Sequence, residues 1–458
     1  MNTLTTHTTP THPAPNAPRS PAPEQRQLRR AVAAAYVGST VEYYDCFIFG
    51  TAAALVFPKV FFPNLSPAMA AVASLGSFAT AFLARPFGGV VFGHFGDRIG
   101  RKKTLMVTLL LMGFSTVAVG LLPSTATIGV AAPLILVALR LVQGFAVGGE
   151  WAGAALVCVE NAPRHLRGRS CMVLQLGVGT AVVLANLAFL LSYRAFGGSS
   201  PEFLSWGWRV PFLMSAVLIG VGFYVRRHLG ETAEYAEAAE PARGRLPIIE
   251  LLRNQTPQLL LAAGAAAGAI MLLYQSSTFL TGYAEAHLGL AKPDIFAISA
   301  VGGLCLLAGI AVSGFLTDRY GRRRIAAIGY GVAVPWSLAI LPLVKTDDMA
   351  LFGVTVMVTS VIVGLLMSPL AALIPTVFAV RHRYTGAAMA NNLGAILGGA
   401  LPPVVSPLLI EHGDRAVGLM MVGFVLVSLT SVVLLREEAP TPSAAAAQRA
   451  AEPLTSMS

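Results

Sequence analysis

Charge is what this chain has least of. Only 12% of its 458 residues are Asp, Glu, Lys or Arg, about half the share of an ordinary soluble chain, which excludes a freely soluble globular domain over most of its length. Cysteine is scarce as well. Cys46, Cys158, Cys171 and Cys305 fall in or beside apolar runs without paired spacing, so they read as small core residues, not as disulfides or metal ligands. No histidine lies within an apolar run, and His7 and His12 sit in a polar leading segment that reads as a solvated tail. No nucleophile–base or metal-ligand constellation is present, which argues against an enzyme and against a metal or organic cofactor.

What is abundant is apolar sequence: 55% hydrophobic residues and a mean hydropathy of +0.68. The length allows a dozen membrane spans of roughly 20 residues each. Apolar runs place them near 31–57, 67–93, 104–122, 129–157, 168–193, 209–226, 257–283, 294–316, 325–343, 350–378, 386–410 and 416–435. The formal charge of +10 does not indicate a nucleic-acid partner, because the arginines sit in short clusters between apolar runs. Lys and Arg gather in the leading tail, alternate loops and the trailing tail, which predicts a multi-pass cell-membrane protein with both termini cytoplasmic. The organisation expected is a disordered tail over 1–29, a six-helix half over 30–226, a cytoplasmic linker over 227–256, a second half over 257–436, and a disordered tail over 437–458. The leading tail has no apolar stretch before Arg26 and is not expected to be a cleaved signal. Within the linker, Glu231, Glu234, Glu237 and Glu240 have the spacing of a surface helix.

One polar stretch occurs twice. Gly93-His-Phe-Gly-Asp97-Arg98-Ile-Gly100-Arg101 and Gly314-Phe-Leu-Thr-Asp318-Arg319-Tyr-Gly321-Arg322 share the pattern Gly-x-x-x-Asp-Arg-x-Gly-Arg, each followed by two basic residues. Gly allows a tight turn, Asp can pair with Arg or cap a helix, and the cations hold the loop in the cytoplasm. Two copies in corresponding places point to a duplicated transporter. The pattern resembles the loop signature of the major facilitator superfamily, between helices 2 and 3 and again between 8 and 9. Three further stretches resemble its metabolite:proton symporter branch: Glu42-Tyr-Tyr44-Asp45, Phe82-Leu-Ala-Arg85-Pro-Phe-Gly-Gly89 and Arg140-Leu-Val-Gln143-Gly-Phe-Ala-Val-Gly-Gly-Glu150. That branch includes permeases for shikimate, α-ketoglutarate, citrate and proline/betaine. The resemblance covers roughly residues 30 to 436. It implies an all-α polytopic membrane protein, twelve transmembrane helices in two six-helix pseudo-symmetric halves.

Charge inside a span costs roughly 2.5–3.5 kcal/mol at a helix centre, so each instance is a functional candidate. The first six expected spans contain Glu42, Asp45, Arg85, Arg140 and Glu150, and the last six contain none. Glu42 and Asp45 are three residues apart and should share a helix face, where two carboxylates in low dielectric are costly to ionise together. Proton coupling is therefore expected of Asp45, Glu42, Arg140 and Glu150. The bland alternative is structural pairing of the acids with Arg85 and Arg140. In sugar/proton symporters of the superfamily a span-1 Tyr-Asp pair meets a span-4 Arg, and the resemblance implies the same for Tyr44, Asp45 and Arg140. Substrate contacts are expected from Arg85, Arg140, Tyr44 and Gln143 on one wall. Tyr274, Gln275, Asn391 and Asn392 would supply uncharged polar groups on the other. Arg85 has snorkelling to the interface as its alternative.

The repeated loops should latch helix ends when the cytoplasmic side is closed, through Gly93, Asp97, Arg98, Gly100 and Arg101 and through Gly314, Asp318, Arg319, Gly321 and Arg322. Glu160 and Arg167, in a loop resembling the family's connection after span 4, would partner the first latch. Simple topological anchoring by positive charge is the plainer reading of all of them. The resulting expectation is a proton-coupled symporter that imports a small organic acid or zwitterion by alternating access. It would work as a monomer in the lipid bilayer, with the proton as its coupling ion and no other cofactor. An efflux antiporter is the alternative on the same fold, although the run Gln175-Leu-Gly177-Val-Gly179-Thr lacks the proline that exporters of the superfamily usually carry there. A solute sensor would be expected to carry a large soluble output domain. Aromatic residues or Trp often occupy the place of Tyr43 in the branch, and Phe that of Cys46, so the local pocket is open to differ.

Overall fold

The computed structural model describes residues 23–99, 101–160, 162–197, 201–228, 247–346 and 348–436. Its first half consists of α1 (Pro23–Leu55), α2 (Pro67–Ile99), α3 (Arg101–Leu121), α4 (Ala131–Glu160), α5 (Arg167–Ala195) and α6 (Phe203–Tyr224). The second half consists of α7 (Thr256–Leu288), α8 (Lys292–Tyr320), α9 (Arg322–Val344), α10 (Met349–Val377), α11 (Val380–Ile410) and α12 (Asp414–Leu434). All twelve expected spans are therefore helices. Among the described residues, eleven helices are long and apolar enough to cross a membrane, and α1 is the one that falls short. The reason is local: Glu42, Tyr43, Tyr44 and Asp45 interrupt its apolar run.

Helix α1 begins at Pro23, ahead of the boundary expected at residue 30. Pro is suited to a first helical turn, and the Glu-Gln-Arg-Gln that follows continues a helix readily. The acidic surface helix expected at Glu231, Glu234, Glu237 and Glu240 lies outside the described residues, as do residues 1–22 and 437–458. The described part of the linker is a short helix, Pro247–Asn254. Its Glu250 pairs with Arg381 at 3.2 Å and His382 at 3.1 Å, fixing the linker to the start of α11.

The two halves use one packing scheme twice. In the first, α1 packs on α5, α2 on α4 and α3 on α6; in the second, α7 packs on α11, α8 on α10 and α9 on α12. Small residues set the closest of these approaches. A Cβ on Gly144 would lie 2.0 Å from the carbonyl oxygen of Ala81, and one on Gly148 would lie 1.9 Å from that of Arg85. The α2–α4 contact is thus made backbone to backbone, which holds Arg85 against α4. Between the halves, α5 packs on α8, α2 on α11 and α1 on α7. Two π-helical turns interrupt helices at this seam, Gln275–Phe279 in α7 and Ile396–Ala400 in α11. Such turns cluster at functional sites.

Candidate functional site: a buried charge network at the seam

Asp45 sits on α1 with 1% of its surface exposed. Its Oδ2 accepts from Thr116 Oγ1 of α3 at 2.8 Å, and its Oδ1 accepts from Ser215 Oγ of α6 at 3.1 Å. Thr116 Oγ1 in turn accepts from Gln143 Nε2 at 2.8 Å, while Gln143 Oε1 accepts from Arg140 Nη1 at 2.6 Å. The direct meeting of Asp45 with Arg140 that the family resemblance implied is therefore replaced by a relay. Gln143 lies one turn beyond Arg140 on the same face of α4 and links it to Thr116. Arg140 is also 1% exposed. Its guanidinium lies over Phe49 at 4.1 Å and Phe78 at 5.1 Å, and its Nε and Nη2 have no hydrogen-bond partner. The aromatic faces steady this buried cation while part of its donor fork stays unused.

Glu42 and Asp45, expected as one pair, turn to different neighbours. Glu42 Oε1 lies 3.9 Å from Arg85 Nη2, an ion pair too long for a hydrogen bond. Arg85 Nη2 instead donates to Cys46 Sγ at 3.2 Å, and the guanidinium lies over Phe82 at 4.8 Å. Arg85 is buried, which removes the snorkelling alternative. The hydroxyl of Tyr44 donates to the carbonyl oxygen of Pro211 at 2.9 Å, so it ties α1 to α6 within its own half. Glu150 is half-buried and opens a fresh helical segment, Glu150–Glu160, after a turn at Gly148 and Gly149.

The other wall is uncharged. Tyr274 is buried among Phe47, Phe78 and Phe82, with ring centroids 6.0, 5.4 and 5.4 Å away. The adjacent Gln275 donates from Nε2 to Ser406 Oγ at 2.7 Å, leaving its buried Oε1 without a partner. Asn392 Nδ2 crosses the seam to the carbonyl oxygen of Gly148 at 2.7 Å, and Tyr384 reaches that of Gly149 at 2.9 Å. Asn391 is buried beside them on α11. Tyr274 and Asn392 are therefore at the seam, and α11 is tied to the turn that precedes Glu150.

Both ends of the seam carry contacts between the halves. On the face bearing the second repeated loop, Asp318 accepts from the backbone N–H of Gly168 at 2.7 Å and of Arg169 at 3.2 Å. The Arg169 guanidinium adds a 3.4 Å ion pair, and Arg383 pairs with Glu160 at 3.5 Å. An acid capping the start of α5 uses the helix dipole as well as its N–H groups. Within the loop after α4, Glu160 thus reaches the opposite half, while the first repeated loop that it and Arg167 were expected to partner has its latch side chains outside what the structure describes. Arg322, expected in the same latch as Asp318, donates to the carbonyl oxygen of Ala372 at 2.8 Å. Arg319 lies over Tyr320, and Gly321 makes the turn with φ of +90°. Gly314 packs where a Cβ would lie 2.7 Å from Met172, again across the seam. The surroundings of Gly93, the side chains of Asp97, Arg98 and Arg101, and Gly100 as a whole lie outside what the structure describes, and with them the contacts expected there. A cavity of about 610 Å³ opens on this face among Arg167, Arg322, Arg323 and Arg324. Arg323 donates to the carbonyls of Val432 and Val433, so Arg322 and Arg323 serve as caps for the ends of α10 and α12.

On the far face, Glu285 is shared by Lys59 at 2.9 Å and Lys292 at 2.7 Å, joining α7 to the segment after α1. Sequence reasoning missed this cluster because Glu285 falls just beyond the expected end of span 7. It also missed Thr116, Ser215 and Ser406, single hydroxyls in apolar runs that carry no signal until a buried partner is seen.

The Major Facilitator Superfamily model matches residues 35–399. Inner membrane metabolite transport protein YhjE of Escherichia coli (strain K12) is 37% identical over 415 residues, 89% of this chain and 94% of that protein. The shikimate transporter of the same organism is 35% identical over 423 residues, again 89% of this chain and 94% of that protein. The fold is similar to the crystal structure of a D-xylose-proton symporter, with a TM-score of 0.68 and 15% identity across 90% of this chain and 98% of that one. With twelve helices, a twice-used packing scheme and these relatives, the chain belongs to the major facilitator superfamily and is a multi-pass inner-membrane transporter of small molecules, not an enzyme.

Proposed function

We propose that this transporter imports a small carboxylate-bearing metabolite together with a proton. The observation that carries the reading is Arg140: a guanidinium 1% exposed, with Nε and Nη2 unbonded, joined through two neutral side chains to the buried acid Asp45. The unused part of the fork suits a substrate carboxylate. Asp45 is the group proposed to take up the proton, with Glu42 and Glu150 as further acids along the proton's path. Tyr274, Gln275, Asn391 and Asn392 would orient the rest of the solute without adding charge. On this reading the face bearing Asp318 and both termini would be cytoplasmic, as the positive charge of the loops supports. Asp318 and the Arg383–Glu160 pair would then close the cytoplasmic exit and Glu285 the outer entrance, with the halves rocking between the two.

The name of the shikimate transporter makes shikimate the first probe, and glycine betaine tests the zwitterionic alternative. The two differ in energetics. A monoanion moving with one proton carries no net charge, whereas a zwitterion with one proton gains about 2.3 kcal/mol per 100 mV of membrane potential. The test is accumulation of radiolabelled shikimate or betaine in energised right-side-out vesicles containing the protein. Accumulation collapsed by a protonophore and lost in Asp45→Asn is expected. Concentrative uptake that survives both would overturn the proton-coupled reading.

A further inference from the structure

We propose that Thr116 is a reversible hydroxyl switch that lets Asp45 gain or lose its proton while staying fully hydrogen-bonded, and that passes the change to Gln143 and Arg140. This rests on the reading that Asp45 is the proton carrier. Thr116 Oγ1 has three neighbours on three different elements of the site: Asp45 Oδ2 at 2.8 Å, Gln143 Nε2 at 2.8 Å, and the carbonyl oxygen of Met112, one turn back on its own helix, at 3.0 Å. A hydroxyl has one hydrogen and two lone pairs. The Gln143 amide can only donate and the Met112 carbonyl can only accept. The carboxyl group alone can do either, depending on its proton.

Both arrangements are complete. With Asp45 ionised, Thr116 donates to Oδ2 and accepts from Gln143. With Asp45 protonated on Oδ2, the carboxyl O–H donates to Thr116. The threonine hydrogen then rotates to the Met112 carbonyl, and its two lone pairs take Asp45 and Gln143. No bond to hydrogen forms or breaks except the one by which the proton reaches Asp45; the hydroxyl only turns. Burial makes this matter, since a carboxyl O–H left without an acceptor in an apolar surrounding costs a full desolvation penalty.

Ser215, on the other carboxylate oxygen at 3.1 Å, lacks the connection to the relay. In the ionised arrangement, the carboxylate polarises the Thr116 oxygen and strengthens its hold on the Gln143 amide. In the protonated one that oxygen is shared between two donors and the hold relaxes. Gln143 is the described hydrogen-bond partner of Arg140, so relaxing it frees the guanidinium to turn toward a substrate carboxylate. Proton first, substrate second is the order this imposes.

The test is infrared difference spectroscopy on the whole protein in lipid nanodiscs, stepped in pH without any substrate. The carbonyl stretch of protonated Asp45 is identified as the band that Asp45→Asn removes. Thr116→Val, nearly the same shape without a hydroxyl, should move that band to higher frequency, the sense in which a carboxyl moves on losing a partner. Thr116→Ser should restore it. An Arg140 or Gln143 band that changes with the Asp45 band in wild type and Thr116→Ser, and not in Thr116→Val, would show the relay. Ser215→Ala should shift the Asp45 band while leaving that linkage intact. If no band depends on Asp45, the proton-carrier reading itself fails. If the band is present and Thr116→Val leaves both its frequency and the linkage unchanged, the switch alone is overturned. Should Thr116→Val not reconstitute, Thr116→Ala gives the same comparison.

Discussion

The two halves of this transporter are built to one plan and have been given different chemistry. In the first half, Glu42, Asp45, Arg85 and Arg140 are all buried within spans. At the corresponding depth, the second half presents Tyr274, Gln275, Ser406, Asn391 and Asn392, all uncharged. The packing scheme is indifferent to this: α2 meets α4 and α8 meets α10 through the same kind of glycine contact, at Gly144 and Gly148 in one half and Gly364 in the other. Duplication therefore supplied the scaffold, while the cost of placing charge in a membrane explains why the charges are gathered where they can bond one another. A proton and a carboxylate can be managed on one wall, leaving the other free to recognise shape.

Replacing Arg140 by Lys would break the comparison most severely. The ammonium keeps the charge but loses the fork, which here holds Gln143 and is proposed to receive the substrate. A loss of about 100-fold in kcat/KM is expected, at the upper end of what one charge-assisted hydrogen bond contributes. Initial uptake rates of whichever probe the wild type carries would measure it. A loss under threefold would show that the fork is a structural pair and that the first half is not the chemical one. Next in size is Asp318→Asn. Amide Oδ1 can still accept one backbone N–H, but the charge facing the start of α5 and Arg169 disappears, for an expected cost of about 1–2 kcal/mol to the closed loop face. Labelling of a cysteine placed on the inner part of α5 should rise by about tenfold; unchanged labelling would separate the second repeated loop from gating.

Gln275→Ala sharpens the contrast between the walls. It removes the bond to Ser406 and a buried carbonyl oxygen, changing KM by about three- to tenfold while proton dependence stays intact. A change in the pH profile of uptake instead of in KM would place proton handling on both halves.

How much of this could be read from the chain itself follows the range of the interactions. Twelve helices and the confinement of Arg85 and Arg140 to one half are local or composition-level signals, and they carried through; of the doubled loop, the described contacts are those of the second copy. Which groups touch was not legible. The sequence places Glu42 and Asp45 on one face, yet the first turns to Arg85 and the second to α3 and α6, because three residues advance a helix far enough to change neighbours in a crowded bundle. Thr116 illustrates the limit. Threonine in an apolar run usually bonds back to its own helix, as this one does to Met112, and nothing along the chain distinguishes a hydroxyl that has two further partners. The reach of Asp318 across the seam was invisible for the same reason: its acceptor geometry depends on where the other half docks.

The smallest effect is expected at the far face, and it tests whether the two ends of the seam are equal gates. Glu285 holds Lys59 and Lys292 with its own side chain 22% exposed, against 6% for the Asp318 side chain on the loop face, and its Lys59 partner is 56% exposed. An ion pair in water contributes about 0.2–1 kcal/mol and is weakened further by salt. Glu285→Gln should therefore shift the balance of the two faces by less than about fivefold, read as labelling of a cysteine on the outer part of α7, and the shift should shrink at high salt. Asp318, its own side chain buried and capping a helix through two backbone N–H groups, should show less salt dependence in the same assay. Were Glu285→Gln to match Asp318→Asn in size and be insensitive to salt, the far face would have to be held by more than the exposed Lys59 pair. The asymmetry between a hard loop-side latch and a soft outer one would then be lost. If the asymmetry holds, the resting protein opens outward at less cost than inward, which is the bias an importer needs to wait for substrate.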